Sequence, residues 1–351
     1  MKKLFILLTT IIPYIIYSQN NYEYRSINDS LNVSIKKNNY ASVINFGEQL
    51  LNKFKNELAD SSLVRIKLNT GYAHKHSGNL QKAKQYANDC IIKLEKQNSK
   101  NIQLAKAYEL LALSYNHSSG NIGVEPGIDA ANKALAIRKK IFGNDHHELY
   151  RPYFIKGELY IILRDKDASL ENNYKGLNVL QKKFGENHIG ITRGYKNIGL
   201  VYANENEYDK ALKHLLKAQK IREKLFPHVS LLGHSNLCTN LATLYYRLGE
   251  HNKGLLYQEK ALELKQKILG KDSPTLINSY ARVAAFATLT RNYEKAKNYF
   301  SKAIDFTLSQ ENIKYGELAQ YYNAIAKMYS SLKQYHKAIT YFHKAMITKK
   351  K

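Results

Sequence analysis

The stretch "GLVYANENEYDKALKHLLKAQ", residues 199–219, sets small residues at fixed distances from tyrosines. Gly199 is followed by Tyr202, and Ala211 by Ala218. Helices that pack at close range need a small side chain where their backbones approach and a larger one beside it. The stretch therefore predicts a pair of helices, with Gly199 and Ala211 at the crossing and Ala218 facing the next helix.

The same arrangement returns along the chain. The small residue three positions before a tyrosine falls at 157, 199, 242 and 326, and Ala284 marks the same place in a repeat without that tyrosine, which gives steps of 42, 43, 42 and 42. Because one hairpin cannot bury its apolar face alone, neighbouring hairpins must stack. The period predicts an all-α fold, an α-α superhelical solenoid of stacked helix-turn-helix repeats. About eight repeats are expected over residues 22–351, with weak motifs over 22–63 and clear ones over 150–351.

Two halves of this unit resemble the tetratricopeptide repeat: "YKNIGLVY" (195–202) and "YDKALKHLLKA" (208–218). Later copies, "YEKAKNYFSKA" (293–303) and "YHKAITYFHKA" (335–345), match the second half better. The long period and "NLATLYY" (240–246) resemble the repeats of kinesin light chains and their bacterial relatives, although "HIG" and "DSP" depart from that family's His-Pro turn. The resemblance implies a non-catalytic scaffold that binds a peptide or protein segment in a concave groove.

One arc of each first helix is expected to pack and the opposite arc, by the resemblance, to line the groove. Asn197 and Asn240 share one repeat position, and the resemblance implies that they hold the backbone of an extended peptide. Basic and apolar residues on this arc favour a partner with acidic and hydrophobic residues. An inner face that is only solvated, or filled by the chain's own termini, is the alternative. The predicted groove residues are Arg151, Phe154, Ile155, Ile161, Arg193, Lys196, Asn197, Asn240, Tyr246, Arg247 and Arg282.

The first twenty residues, "MKKLFILLTTIIPYIIYSQN", follow the plan of a secretory signal peptide: two lysines, a short apolar run and a small residue before a cut. We expect a signal peptide over 1–18 and export to the periplasm or medium, with a retained membrane anchor as the alternative. The net charge of +25 indicates an acidic partner or a solvated lysine-rich surface. Export argues against nucleic acid as the partner.

No catalytic constellation is apparent in the sequence. The histidines lack the H-E-x-x-H spacing of a zinc site, and His146 and His188 are expected in turns. Cys90 and Cys238 are expected as buried free thiols. We therefore predict no cofactor, no metal and no enzyme activity.

Two alternatives concern the C-terminal end, "FHKAMITKKK". The chain could be the sensor or regulatory arm of a split or truncated multidomain protein with a CHAT-type protease or a sensor kinase. Its last repeat, without a polar capping helix, could also self-associate or bind a partner.

Overall fold

The computed structural model describes residues 23–35, 39–54, 56–96, 101–115, 123–225, 231–271 and 273–350. These residues form sixteen α-helices and no strand, which confirms the predicted all-α fold of stacked repeats. The predicted signal peptide, 1–18, lies outside the described residues, and the repeat limits of 22–351 stay a prediction. None of the described helices is long and apolar enough to span a bilayer.

Backbone contacts divide the chain into two units, Met1–Lys183 and Phe184–Lys351. We call the first helix of each hairpin its A helix and the second its B helix. The helices of the first unit are α1 (23–35), α2 (Tyr40–Lys53), α3 (Asp60–His76), α4 (Leu80–Glu95), α5 (Ile102–Leu113), α6 (Glu125–Phe142), α7 (Tyr150–Leu163) and α8 (Lys166–Phe184), whose last residue begins the second unit. Those of the second unit are α9 (Ile189–Asn204), α10 (Tyr208–Leu225), α11 (Leu231–Arg247), α12 (His251–Leu269), α13 (Ile277–Leu289), α14 (Tyr293–Leu308), α15 (Tyr315–Ser331) and α16 (Tyr335–Lys349).

The repeated small residues lie where helices cross, as predicted. A Cβ atom placed on Gly199 of α9 would be 2.8 Å from the Leu215 side chain and 3.2 Å from the carbonyl oxygen of Ala211, both in α10. Ala211 and Ala218 are completely buried. The A and B helices of this hairpin therefore approach more closely than any larger side chain at 199 allows.

Glycine and proline fix the turns between hairpins. Gly143 and Gly270 adopt φ values of 90° and 82° directly after α6 and α12, a conformation that favours glycine. Ser273 caps a 3₁₀ turn that begins with Pro274 and leads into α13. His146 and His188 accept a hydrogen bond through Nδ1 from the backbone two residues later. The prediction that both histidines are turn residues is confirmed.

Tyrosine and lysine pair across the hairpins of the second unit. A lysine at the start of the B helix lies over a tyrosine near the end of the A helix, and the ammonium-to-ring distance is 5.4 Å in each of three repeats. Such contacts contribute about 0.5–1 kcal/mol each at exposed sites, so part of the high lysine content serves packing. The pairs are Lys210 with Tyr202, Lys253 with Tyr245, and Lys337 with Tyr329.

A buried ion-pair network joins two hairpins of the first unit. The Arg138 guanidinium of α6 donates from Nε to Glu109 of α5 at 2.6 Å and from Nη1 to Glu148 at 2.7 Å. Arg138 and Glu109 are almost fully buried. Burial works against ionisation of Glu148, but the charge and hydrogen bond of Arg138 outweigh it and lower the pKa of that carboxyl. The network orients α5 and α6 against the turn before α7.

Candidate functional site

Exposure separates the predicted groove residues into three groups. Phe154, Ile155 and Asn197 are buried, with exposed fractions of 0%, 2% and 0%. The half-buried residues are Ile161, Arg193, Lys196 and Asn240, and the exposed ones are Arg151, Tyr246, Arg247 and Arg282.

The apolar surface patch predicted at Phe154 and Ile155 is wrong. The Phe154 ring occupies the space above Gly176 of α8, where a Cβ would lie 2.5 Å from Cε1 of the ring. Ile155 belongs to the buried core that α7 shares with α5 and α6. The helical wheel places Phe154 on the exposed arc of its helix. Because Gly176 in the B helix leaves room for the ring, Phe154 is instead a core residue.

Asn197 was also expected on the groove-lining arc, and the structure buries it. Its side chain is fully buried in α9, so the peptide-holding role that the resemblance implies would require α9 to move. Asn240, at the same repeat position in α11, is half-buried.

Neighbouring A helices of the second unit contact each other through side chains. The Tyr246 ring of α11 meets the Phe286 ring of α13 edge to face, with centroids 6.2 Å apart. The Tyr321 hydroxyl of α15 donates to Asn278 Oδ1 of α13 at 3.2 Å. We call the exposed side chains of α11, α13 and α15 the A-helix surface.

Charge on the A-helix surface is one-sided. Neither α11 nor α13 contains an aspartate or glutamate, while Arg247 and Arg282 project from them as exposed residues. In α15 the half-buried Glu317 is paired with Lys314, and Lys327 is exposed. The surface therefore attracts anionic groups.

Two cationic side chains lie at α13, Lys265 from the preceding B helix and Arg282 from α13 itself. Lys265 of the B helix α12 reaches α13, where its Nζ donates to Ser279 Oγ at 3.1 Å. Burial, with a contribution from the charge of Arg282, lowers the pKa of Lys265. Among the residues that the structure describes, neither Lys265 nor Arg282 forms an ion pair. We call Lys265, Ser279 and Arg282 the basic cluster.

Sequence reasoning missed Lys265 because only A helices were considered as groove-lining. The signal was nevertheless present. The equivalent residues are Leu180 in α8, Arg222 in α10, Thr307 in α14 and Lys349 in α16, so a basic residue recurs at this repeat position.

Apolar side chains flank the basic cluster. Tyr246 and Leu289 are 48% and 43% exposed, and the Tyr246 ring contacts the buried Phe286 ring. Arg282 lies one helical turn before Phe286 on α13, and Leu289 lies one turn after it. Cationic and apolar contacts are thus offered on one helix face.

The described residues were expected to hold neither a metal site nor a reactive cysteine. No group of three or more histidine, cysteine, aspartate or glutamate side chains there could hold a metal ion. Both cysteines are free and buried, as predicted. Burial raises the pKa of the Cys90 thiol to about 12 and that of Cys238 to about 11, which disfavours the nucleophilic thiolate.

Comparison with known families supports the repeat assignment. Sequence profiles of the tetratricopeptide repeat match residues 192–225, 235–309 and 318–351. These residues are tetratricopeptide repeats. Arrays of this class are interaction and regulatory domains, and this repeat protein is one of them. A search of curated proteins found no match.

Solved structures share the fold at low identity. One is a STAND signal-transduction ATPase with a tetratricopeptide repeat sensor from Pyrococcus horikoshii, at 16% identity and a TM-score of 0.60, over 92% of this chain and 47% of that one. Another is BtubC from P. vanneervenii, at 16% identity and a TM-score of 0.55, over 65% of this chain and 92% of that one. A third is a Rap protein complexed with Competence and Sporulation Factor, at 13% identity and a TM-score of 0.52, over 94% and 98% of the two chains.

Proposed function

We propose that this tetratricopeptide repeat protein is a non-catalytic scaffold that binds an acidic segment of a protein or peptide on the A-helix surface. The segment carries an apolar residue for Tyr246 and Leu289 and a carboxylate for the basic cluster. Self-association through the C-terminal repeat stays a prediction.

The basic cluster carries this proposal. Burial is the main cause of the lowered pKa of Lys265, and the positive charge of Arg282 adds to it, so the two cations repel each other. A bound carboxylate would turn that repulsion into attraction and would accept hydrogen bonds from both cations. The half-buried Lys265 already lacks part of its hydration, so the free-energy cost of desolvating it on binding is reduced.

The exposed apolar side chains supply the second requirement of a binding surface. Interface energy is concentrated in a few aromatic and arginine residues at the centre of a contact. The edge-to-face contact with Phe286 restricts the Tyr246 ring, which reduces the conformational entropy lost when a partner side chain packs on it.

Structural likeness is compatible with this role. The Rap protein that shares this fold is itself complexed with Competence and Sporulation Factor. Helical arrays of this kind present extended surfaces for bound chains.

The proposal is tested with two fluorescein-labelled peptides of equal length and identical apolar residues, one carrying aspartate and the other lysine at every charged position. Fluorescence anisotropy at low salt should show binding of the acidic peptide only, weakened by added salt. Arg282→Glu should weaken it at least tenfold, about 1.4 kcal/mol. The matched control Lys297→Glu, an exposed lysine of α14, should bind as the wild type. Equal binding of both peptides, or equal losses in the two variants, contradicts the proposal.

Export is proposed on the N-terminal sequence alone. The test is expression in a bacterium and N-terminal analysis of the protein from the periplasm or medium. A mature chain that begins at Gln19 is expected, and an uncleaved cytoplasmic chain contradicts export.

A sensor or regulatory arm is the second candidate. The structural match to a STAND protein whose repeats form a sensor favours it. Genomic sequence beyond the codon for Lys351 decides between them: an adjoining protease or kinase domain favours the sensor arm, and an unrelated gene favours the free scaffold.

A further inference from the structure

The last helix, α16, exposes an apolar stripe. Tyr335, Ile339, Phe342 and Met346 follow one another at intervals of four, three and four residues, which places them on one helix face. Their exposed fractions lie between 43% and 65%. This is a large apolar area for one helix of an otherwise lysine-rich surface.

The stripe coincides with a surface that other repeats bury. Phe342 is 43% exposed, whereas the residues at the same position in the four preceding B helices are between 0% and 2% exposed. Phe300, its counterpart in α14, lies in one buried cluster with Tyr321 and Ile325 of the following A helix, α15. The counterparts of Phe342 are Asn173, Leu215, Gln258 and Phe300. The exposed stripe therefore has the character of a repeat-to-repeat contact face.

A lysine marks where an acidic group would fit. Lys349 stands three residues after Met346, at the repeat position that Lys265 has in α12. Lys265 donates to Ser279 of the next A helix. Lys349 is exposed and forms no ion pair in the part of the chain that the structure describes.

Charge selects the occupant. Residues 318–351 contain seven lysines and no aspartate or glutamate. A second copy docked through the same face would bring two such lysine-rich ends together, and like charges in a contact are costly. An acidic partner would meet complementary charge along the whole face.

We propose that the α16 face docks an amphipathic helix of another protein, whose apolar stripe covers Phe342 and whose acidic side chain pairs with Lys349. This helix packs against α16 as α15 packs against α14. An anionic bilayer is the competing partner for a basic, apolar-striped helix. It is less favoured because the stripe follows the register of the repeat contacts.

The test uses helix-stapled peptides of the α13 sequence, Ile277–Leu289, which is the A helix that Lys265 contacts. One peptide carries Ser279→Glu and its matched control carries Ser279→Lys. Isothermal titration of the whole protein at low salt should give at least tenfold tighter binding of the glutamate peptide. Lys349→Glu should remove or reverse that preference. Neither peptide binding, or both binding equally, overturns the proposal.

Two variants distinguish the loss of the binding surface from the loss of the folded structure. Phe342→Asp and Ile339→Asp replace exposed residues, so both should keep the wild-type circular dichroism spectrum and lose the peptide. Leu256→Asp, on the exposed side of α12, is the control that should retain it. Wild-type binding to phosphatidylglycerol vesicles that Phe342→Asp abolishes, or a dimer in sedimentation that the same change dissociates, would overturn the proposal in favour of a membrane or a second copy.

Discussion

The Phe286 ring of α13 packs directly against Gly254 of α12. A Cβ atom at Gly254 of α12 would lie 2.4 Å from Cε1 of the Phe286 ring and 3.3 Å from the carbonyl oxygen of Ala242. The missing side chain lets α12 approach α11 and lets the Phe286 ring lie where it supports Tyr246. A repeat glycine therefore positions an exposed aromatic residue of the proposed binding surface.

Gly254→Ala should destabilise the protein by about 1–3 kcal/mol, because the added methyl group forces the Phe286 ring or α12 to shift. The matched control is Gly316→Ala in α15, where an added Cβ meets nothing within 4 Å. That change should be neutral or slightly stabilising, since alanine favours helices. Urea denaturation measures both, and equal midpoints for the two variants would show that the close contact is absent.

Glu109→Ala should cost about 3–5 kcal/mol, because it leaves the buried Arg138 without its closest counter-charge. Replacing both partners by apolar residues, Glu109→Leu with Arg138→Met, should recover much of the loss. The free energy of unfolding from urea titration gives both values. A double variant as unstable as Glu109→Ala would contradict this explanation, because the loss of stability would then not come from the uncompensated charge of Arg138.

The free energy of unfolding should fall as the pH is lowered from 7 to 5. Burial, with the charges of Lys260 and Arg222, lowers the pKa of His234, whose Nε2 lies 2.9 Å from the Gln219 amide nitrogen. Because the folded pKa lies below the unfolded value of about 6.5, the contribution of the neutral ring is complete above that pH. It is lost as the pH falls through the folded pKa.

The size of this pH effect is about 1.4 kcal/mol per unit of pKa difference. His234→Gln should flatten the profile, while His343→Gln, an exposed histidine of α16, should keep the wild-type profile. Denaturant titrations at several pH values provide the measurement. An unchanged slope in His234→Gln would assign the dependence to other groups.

The sequence predicts the fold well because close helix crossings require small residues at Gly199, Ala211 and Ala218, and few other residue types fit there. It predicts the site only in part. A helical wheel gives the direction of a side chain and not the depth of its neighbours, so Phe154 was assigned to the surface although Gly176 makes room for its ring. Lys265 was missed because its B helix reaches the A-helix surface only through the length of the lysine side chain.

The most direct test of the proposed binding surface is acetylation footprinting of the whole protein, with and without the saturating acidic peptide. Lys265 is the reporter, and Lys253, an exposed lysine of the same helix that is paired with Glu250, is the internal control. Mass spectrometry should show that the peptide slows acetylation of Lys265 at least fivefold and leaves Lys253 unchanged. Equal acetylation rates of Lys265 with and without the peptide would contradict the proposal that an acidic segment binds the basic cluster.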